Sequence, residues 1–250
     1  MRKIVAANWK MYKTRGEAEK TASELRVSMT EETAGGRRVV IFPSFTNIAA
    51  VAGVFAGHPS VSVGAQNFYP AVEGAFTGET SLNMLRDLGA TWALTGHSER
   101  RHILGETDEL VARKTAFALQ EGFSVMLCIG ETLAQREAGE LDKVLSRQTE
   151  SALAALPPDS LGRLAIAYEP VWAIGTGKVA GPTEALEAHA AVRALVLKLL
   201  GDAGRSVPIL YGGSVKPDNA ATLLELDNVD GLLVGGASLN SQSFLQIVNA

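Results

Sequence analysis

The feature that most constrains this chain is an alternation that runs its whole length: short apolar runs rich in β-formers, each followed by a stretch with helical character. The β-like runs lie at Ile4 to Ala7, Val39 to Phe42, Val61 to Ala65, Trp92 to Thr95, Val125 to Ile129, Leu164 to Tyr168, Ile209 to Tyr211 and Leu232 to Val234. Helix-like stretches follow at 17–29, 47–55, 81–88 and 107–121. A long one, broken near Gly139, reaches Ala155, another spans 183–200, and shorter ones follow the last two runs. Eight units in 250 residues leave about 31 residues each, close to the smallest strand-plus-crossover-helix unit. The runs are apolar on both faces, as a parallel sheet covered by helices requires. No linker-like or low-complexity segment interrupts the pattern, and Pro157-Pro158-Asp159-Ser160 reads as a turn. The expectation is one α/β domain over residues 1–250, with a closed (β/α)8 barrel favoured over an open doubly wound sheet.

Closure says where chemistry belongs, because the loops after the strands of such a barrel share one face. Asn8 and Lys10 follow the first run, Gln66 and Asn67 the third, His97, Ser98 and Glu99 the fourth, and Glu131 the fifth. Glu169 ends the sixth, where Pro170 removes a backbone donor and stops the strand. Gly212, Gly213 and Ser214 follow the seventh, and Gly235 and Gly236 the eighth. Taken singly, each has a plain structural reading: a solvated lysine, a capping asparagine, a Gly-Gly turn, a carboxylate at the base of a surface loop. Taken together at one mouth, a lysine, a histidine and a glutamate supply what is needed to move a proton beside a carbonyl. Glycine-lined loops after the last two strands are where barrels hold phosphate.

Other function classes are excluded by composition or spacing. A net charge of −4 speaks against a basic nucleic-acid or membrane surface. One cysteine, Cys128, permits no internal disulfide and sits in an apolar run as a small buried hydrophobe. The apolar run at the N-terminus is too short for a signal peptide, no stretch reaches membrane-span length, and a cytoplasmic protein is expected. Gly175-Thr176-Gly177-Lys178-Val179-Ala180 matches G-x-G-x-x-A but begins well past its strand, and the next strand ends in Gly-Gly-Ser where a ribose-binding acid would stand. Gly177-Lys178 lacks the earlier glycine and following hydroxyl of a phosphate loop. His97 and His102 are five apart, which does not align them on a helix for zinc, so no metal site is expected.

Four segments now carry a resemblance: Asn8-Trp9-Lys10-Met11, Thr95 to Arg101 (Thr-Gly-His-Ser-Glu-Arg-Arg), Ala167 to Gly177 (Ala-Tyr-Glu-Pro-Val-Trp-Ala-Ile-Gly-Thr-Gly), and Tyr211-Gly212-Gly213-Ser214. In order and spacing they closely resemble the triosephosphate isomerase family, over the chain from end to end. The resemblance implies a TIM barrel that interconverts dihydroxyacetone phosphate and glyceraldehyde 3-phosphate, with no cofactor and no metal. It implies Glu169 as the base, His97 as the electrophile polarising the substrate oxygens, and Lys10 as the stabiliser of negative charge, with Asn8 beside it. A neutral histidine at a helix N-terminus is likewise implied by the resemblance, not by these residues. The resemblance further implies a mobile lid over 170–180, with Pro170 at its base and Ile174, Gly175, Thr176 and Gly177 in its tip. The Gly175 N–H would close onto phosphate with Ser214, Gly235 and Gly236. Trp172 would meet Glu131, and Tyr211 and Ser214 would latch the closed form, although aromatic packing at a loop base is as good a reading of each residue alone. Finally it implies a homodimer. The loop Gly74 to Glu79, with Thr77 and Glu79, would insert into a second subunit near Lys10 and His97, and Arg100 would lie at the same interface.

Two departures from the family pattern stand out. Gly181-Pro182 begins the helix after the lid where Thr-Pro is frequent, trading a side-chain cap for a backbone one. Thr80 replaces a more usual apolar residue. The remaining alternatives are another sugar-phosphate barrel, such as an aldolase, and a catalytically silent phosphate-binding protein on the same fold. An aldolase needs an internal Schiff-base lysine or metal ligands, a context that Lys10 at the mouth lacks.

Overall fold

The computed structural model describes residues 2–30, 36–157, 159–173 and 180–250. Eight strands, β1 Ile4–Asn8, β2 Arg38–Phe42, β3 Val61–Ala65, β4 Trp92–Thr95, β5 Ser124–Ile129, β6 Leu164–Tyr168, β7 Ile209–Tyr211 and β8 Gly231–Val234, form a closed barrel in sequence order. Every neighbouring pair is parallel, and β8 closes on β1 with Ile4 opposite Gly231 and Ala7 opposite Val234. The expected (β/α)8 barrel is therefore the observed fold, and the strand bounds differ from those read in the sequence by at most one residue.

Alternation of side chains along each strand explains why the runs are apolar on both faces. Ile4 and Ala6 point into the barrel with Val40, Phe42, Leu94, Met126 and Cys128, forming an inner cluster. Val5 and Ala7 point outward with Val39, Ile41, Val63 and Leu127 into the larger cluster under the helices. Gly64 of β3 makes room for the inner ring of bulky groups, because a Cβ there would fall 2.8 Å from the Trp92 Cβ and within the Phe42 ring.

The covering helices are α1 Arg15–Ser28, α2 Ile48–Val54, α3 Leu82–Asp87, α4 Ser98–His102, α5 Asp108–Gln120, α6 Leu133–Glu137, α7 Leu141–Leu153, α8 Pro182–Leu200, α9 Ala220–Glu225 and α10 Ser241–Asn249. Their starts follow local chemistry. Thr14 and Glu17 form a capping box on α1, Thr107 caps α5, and Thr132 with Gln135 boxes α6. Gly139, in a left-handed conformation, separates α6 from α7 where the sequence placed a break. Pro182 opens α8 behind Gly181, which offers no side-chain cap.

One buried polar group ties α8 to the barrel. His189 has no solvent exposure, its Nδ1 lies 2.9 Å from the Asn228 carbonyl, and its ring packs edge-on to Tyr168 and beside Tyr211. Burial pushes its pKa down from 6.5 to about 4. Below pH 6.5 the unfolded imidazole takes up a proton that the folded one refuses, so stability present above that value is lost as pH falls toward 4. His189→Gln, which keeps a donor for Asn228 but cannot titrate in this range, should flatten that dependence. Urea unfolding compared at about pH 7 and about pH 4.5 should show the parent losing about 2 kcal/mol more than the variant.

Candidate active site

The carboxyl-terminal strand ends enclose a cavity of about 640 Å³ whose lining includes Asn8, Lys10, His97, Glu169, Ser214 and Gly235. Residues as much as 227 positions apart in sequence meet there because parallel strands all end on one face.

Lys10 follows β1 with φ of +50°, a strained conformation for a residue with a side chain. Two hydrogen bonds hold its backbone, and a third anchors the donor of one of them. Its N–H donates to Asn8 Oδ1 at 3.0 Å, and Gln66 Nε2 donates both to the Lys10 carbonyl at 2.8 Å and to that of Phe42 at 2.9 Å. The ammonium pairs with Glu99 Oε1 at 2.7 Å. Behind it, Gly235 leaves open backbone, and a Cβ there would sit 3.5 Å from Lys10 Cε.

His97 is the residue from which α4 starts, and it is buried. Gly96 before it adopts φ of +68°, and Arg101 braces that turn by donating from Nε to the Gly96 carbonyl at 2.7 Å. The ring accepts at Nδ1 from the Glu99 N–H at 3.3 Å and places Nε2 3.0 Å from Glu169 Oε1. A proton on Nε2 suits both contacts. Burial lowers the affinity of this ring for a second proton, but Glu169, with Glu99 behind it, outweighs burial and raises its pKa.

Glu169 lies just past β6, fully enclosed, with Oε2 accepting from the Ser98 N–H at 2.8 Å. Burial would raise its pKa, yet His97, the Ser98 N–H and Lys10 together lower it, so the carboxylate is ionised in a dry setting. Glycines give it space. A Cβ on Gly212 would come within 3.0 Å of Glu169 Cγ, and one on Gly130 would overlap the Glu169 carbonyl.

Past β5, Glu131 accepts at Oε1 from Tyr168 OH at 3.0 Å and Trp172 Nε1 at 2.8 Å, and burial raises its pKa despite them. Arg136 stands 3.8 Å from the same carboxylate and lies over the Trp172 ring. Pro170 is buried, and Tyr211 OH donates to the Ala180 carbonyl at 3.4 Å, with burial pushing its pKa up to about 12. Ile174, Gly175, Thr176 and Gly177 lie outside the described residues. Thr77 and Glu79 are exposed, on a loop where Phe76 stacks on Tyr69 with 4.1 Å between ring centroids.

A family model for triosephosphate isomerase matches residues 3–250. The chain belongs to the triosephosphate isomerase family. It is 57% identical over 251 residues to a triosephosphate isomerase of Nitratidesulfovibrio vulgaris and 56% identical to one of Oleidesulfovibrio alaskensis, each match covering 100% of both chains. A Lawsonia intracellularis triosephosphate isomerase is 50% identical, covering 100% of this chain and 98% of its own. Membership makes the chain an isomerase.

Some residues that shape this isomerase's mouth carry no sequence signal. Glu106 and Lys114 form a buried ion pair in which Lys114 also donates to Asn67 Oδ1 at 2.6 Å, and Arg100 donates to Glu106 Oε1 at 2.7 Å. The pair thus fixes Asn67 and Arg100, which line a groove shared with Lys10 and His97. Neither follows a strand, so the strand-end pattern does not single them out. Removing one partner strands the other charge, and Glu106 Oε2 already has no hydrogen-bond partner. Lys114→Met should therefore cost about 3–5 kcal/mol in denaturant unfolding, and adding Glu106→Leu should restore much of that loss.

Proposed function

We propose that this chain interconverts dihydroxyacetone phosphate and D-glyceraldehyde 3-phosphate through an enediolate, the step shared by glycolysis and gluconeogenesis, with Glu169 as base, His97 as electrophile and Lys10 as electrostatic stabiliser. The observation that carries the reading is the contact of the buried Glu169 carboxylate with His97 Nε2 at 3.0 Å, in a cavity that Lys10 also lines. In the ketose-to-aldose direction Glu169 takes a proton from C1. The C2 carbonyl oxygen gains the negative charge, and His97 Nε2–H and the Lys10 ammonium stabilise it. The proton then returns to C2, the hydroxyl hydrogen passes from O1 to O2, and the aldehyde forms at C1 with no net change in atoms. No cofactor or metal enters this scheme.

To reach C1, Glu169 has to leave the Ser98 N–H and His97 Nε2. That movement also withdraws the charge that raises the His97 pKa. Burial and Lys10 both act to lower it and only Glu99 still raises it, which favours an imidazole that meets substrate neutral and donates from Nε2. Asn8 positions Lys10, and Ser214, Gly235 and Gly236 grip the phosphate with Gly175. The lid, 170–180, closes to keep water from the enediolate, which otherwise expels phosphate. Trp172 meets Glu131 at one end of the lid, and Tyr211 and Ser214 latch its closed form at the other.

The chain acts as one domain over residues 1–250 in a homodimer in the cytoplasm. Exposed Met11, Phe45 and Leu104 support the dimer, since they line the groove beside Lys10, His97 and Arg100. The loop carrying Phe76, Thr77 and Glu79 fits as the segment a second copy inserts there. No helix among the described residues is long and apolar enough to cross a membrane.

A coupled assay with dihydroxyacetone phosphate tests the reading. The parent should turn over, and Glu169→Gln should lose about 10²- to 10⁴-fold in kcat or more, because the amide cannot take the C1 proton. An inactive parent overturns the activity, and a Glu169→Gln variant as fast as the parent overturns the choice of base.

A further inference from the structure

At the opposite pole, the amino-terminal strand ends surround a separate cavity of about 230 Å³. Arg38 and Trp92 are the first residues of β2 and β4, Arg163 directly precedes β6, and Arg2 lies just ahead of β1. Together with Ser206 and Pro208 they line the cavity, and no aspartate or glutamate does.

Among the described residues only neutral groups hold these three guanidiniums. Arg2 Nη2 donates to the Arg37 carbonyl and to Ser60 Oγ, both at 2.8 Å. Arg163 Nη2 donates to the Leu119 carbonyl at 3.0 Å, and Arg38 lies over the Trp92 ring, 5.8 Å from its centroid. Among the described residues the arginines with a carboxylate within 4 Å are others, namely 15, 100, 101, 136, 147, 193 and 205. The acids on neighbouring segments are engaged elsewhere, Asp202 by Arg205 and Asp230 by Arg193. Arg163 Nε is shut off from solvent and has no acceptor, an arrangement that costs free energy until one arrives. Three like charges thus converge, with no counter-charge among the described residues, in a chain of net charge −4.

We propose that this amino-terminal mouth binds a small tetrahedral oxyanion of the phosphate type. Planar guanidinium forks match such an anion through paired N–H donors, and the cavity is below the size that takes larger organic ligands. The barrel core separates it from the carboxyl-terminal mouth, so occupancy adds to the stability of the folded chain without competing with the isomerase substrate.

Equilibrium dialysis of the full chain against radiolabelled inorganic phosphate, with ionic strength held constant by chloride, tests this. The double variant Arg38→Gln/Arg163→Gln should bind one phosphate fewer per chain than the parent, with kcat and KM unchanged. Equal numbers bound by parent and variant overturn the proposal. Should the double variant fail to fold, Arg38→Lys/Arg163→Lys keeps both charges but loses the forks. Phosphate should then bind at this site at least about tenfold more weakly than in the parent, and unchanged affinity overturns the proposal.

Discussion

The closing pair of β1 with β8 is the constraint on which the rest of this molecule depends. An open sheet of the same eight strands would leave Lys10, after β1, and Gly235, after β8, at opposite edges; the register that sets Ala7 against Val234 brings Gly235 within contact of the Lys10 side chain. Gly231 permits that register, because a Cβ on it would strike the Ile4 carbonyl. Closure also divides each strand between two cores, an inner one in which Ala6, Ala165 and Ala167 leave room for Phe42, Trp92 and Met126, and an outer one under the helices.

Within the mouth so formed, charge is arranged to be moved and not merely neutralised. Glu169, His97, Glu99 and Lys10 form a continuous chain through contacts of 2.7 to 3.6 Å, with Glu169 and His97 buried. Burial strengthens the contact between those two and makes the pKa of each depend on where the other stands. A single carboxylate movement therefore resets the histidine. In the proposed reaction the base and the electrophile need no separate tuning, since the departure of one prepares the other.

The strands, their bounds and the convergence of Asn8, Lys10, His97, Glu169 and Ser214 were legible because they rest on local rules: two-faced apolar runs, Pro170 as a stop, and the shared face of parallel strand ends. Three features were not. The strained φ of Lys10 has no signature in a lysine, and the Gln66 side chain that holds its carbonyl is 56 residues away. Glu106 and Lys114 lie eight residues apart, at neither helix spacing nor a strand end, so only the tertiary fold turns these two charges into a buried pair. The break in the helical pattern at Gly139 was visible, since left-handed backbone favours glycine, but the packing of α7 against its neighbours was not.

The two ends of the barrel answer different physical demands, and the glycines show it. At the carboxyl-terminal end Gly96, Gly130, Gly212 and Gly213 stand where any side chain would strike a neighbour, against Arg101, Glu169 or Tyr211. Such close packing fixes the reacting groups without extra hydrogen bonds, and it makes each position intolerant of even one methyl group. At the amino-terminal end Gly231 is placed as tightly, against Ile4, but around the cavity the packing is looser: Gly162 faces open space, and a guanidinium lies over the ring of Trp92. A barrel needs something over each open end of its core. Chemistry claims one end and imposes precision there, while at the other a flexible, charged side chain suffices, and that freedom is what lets three arginines gather without a carboxylate to pair them.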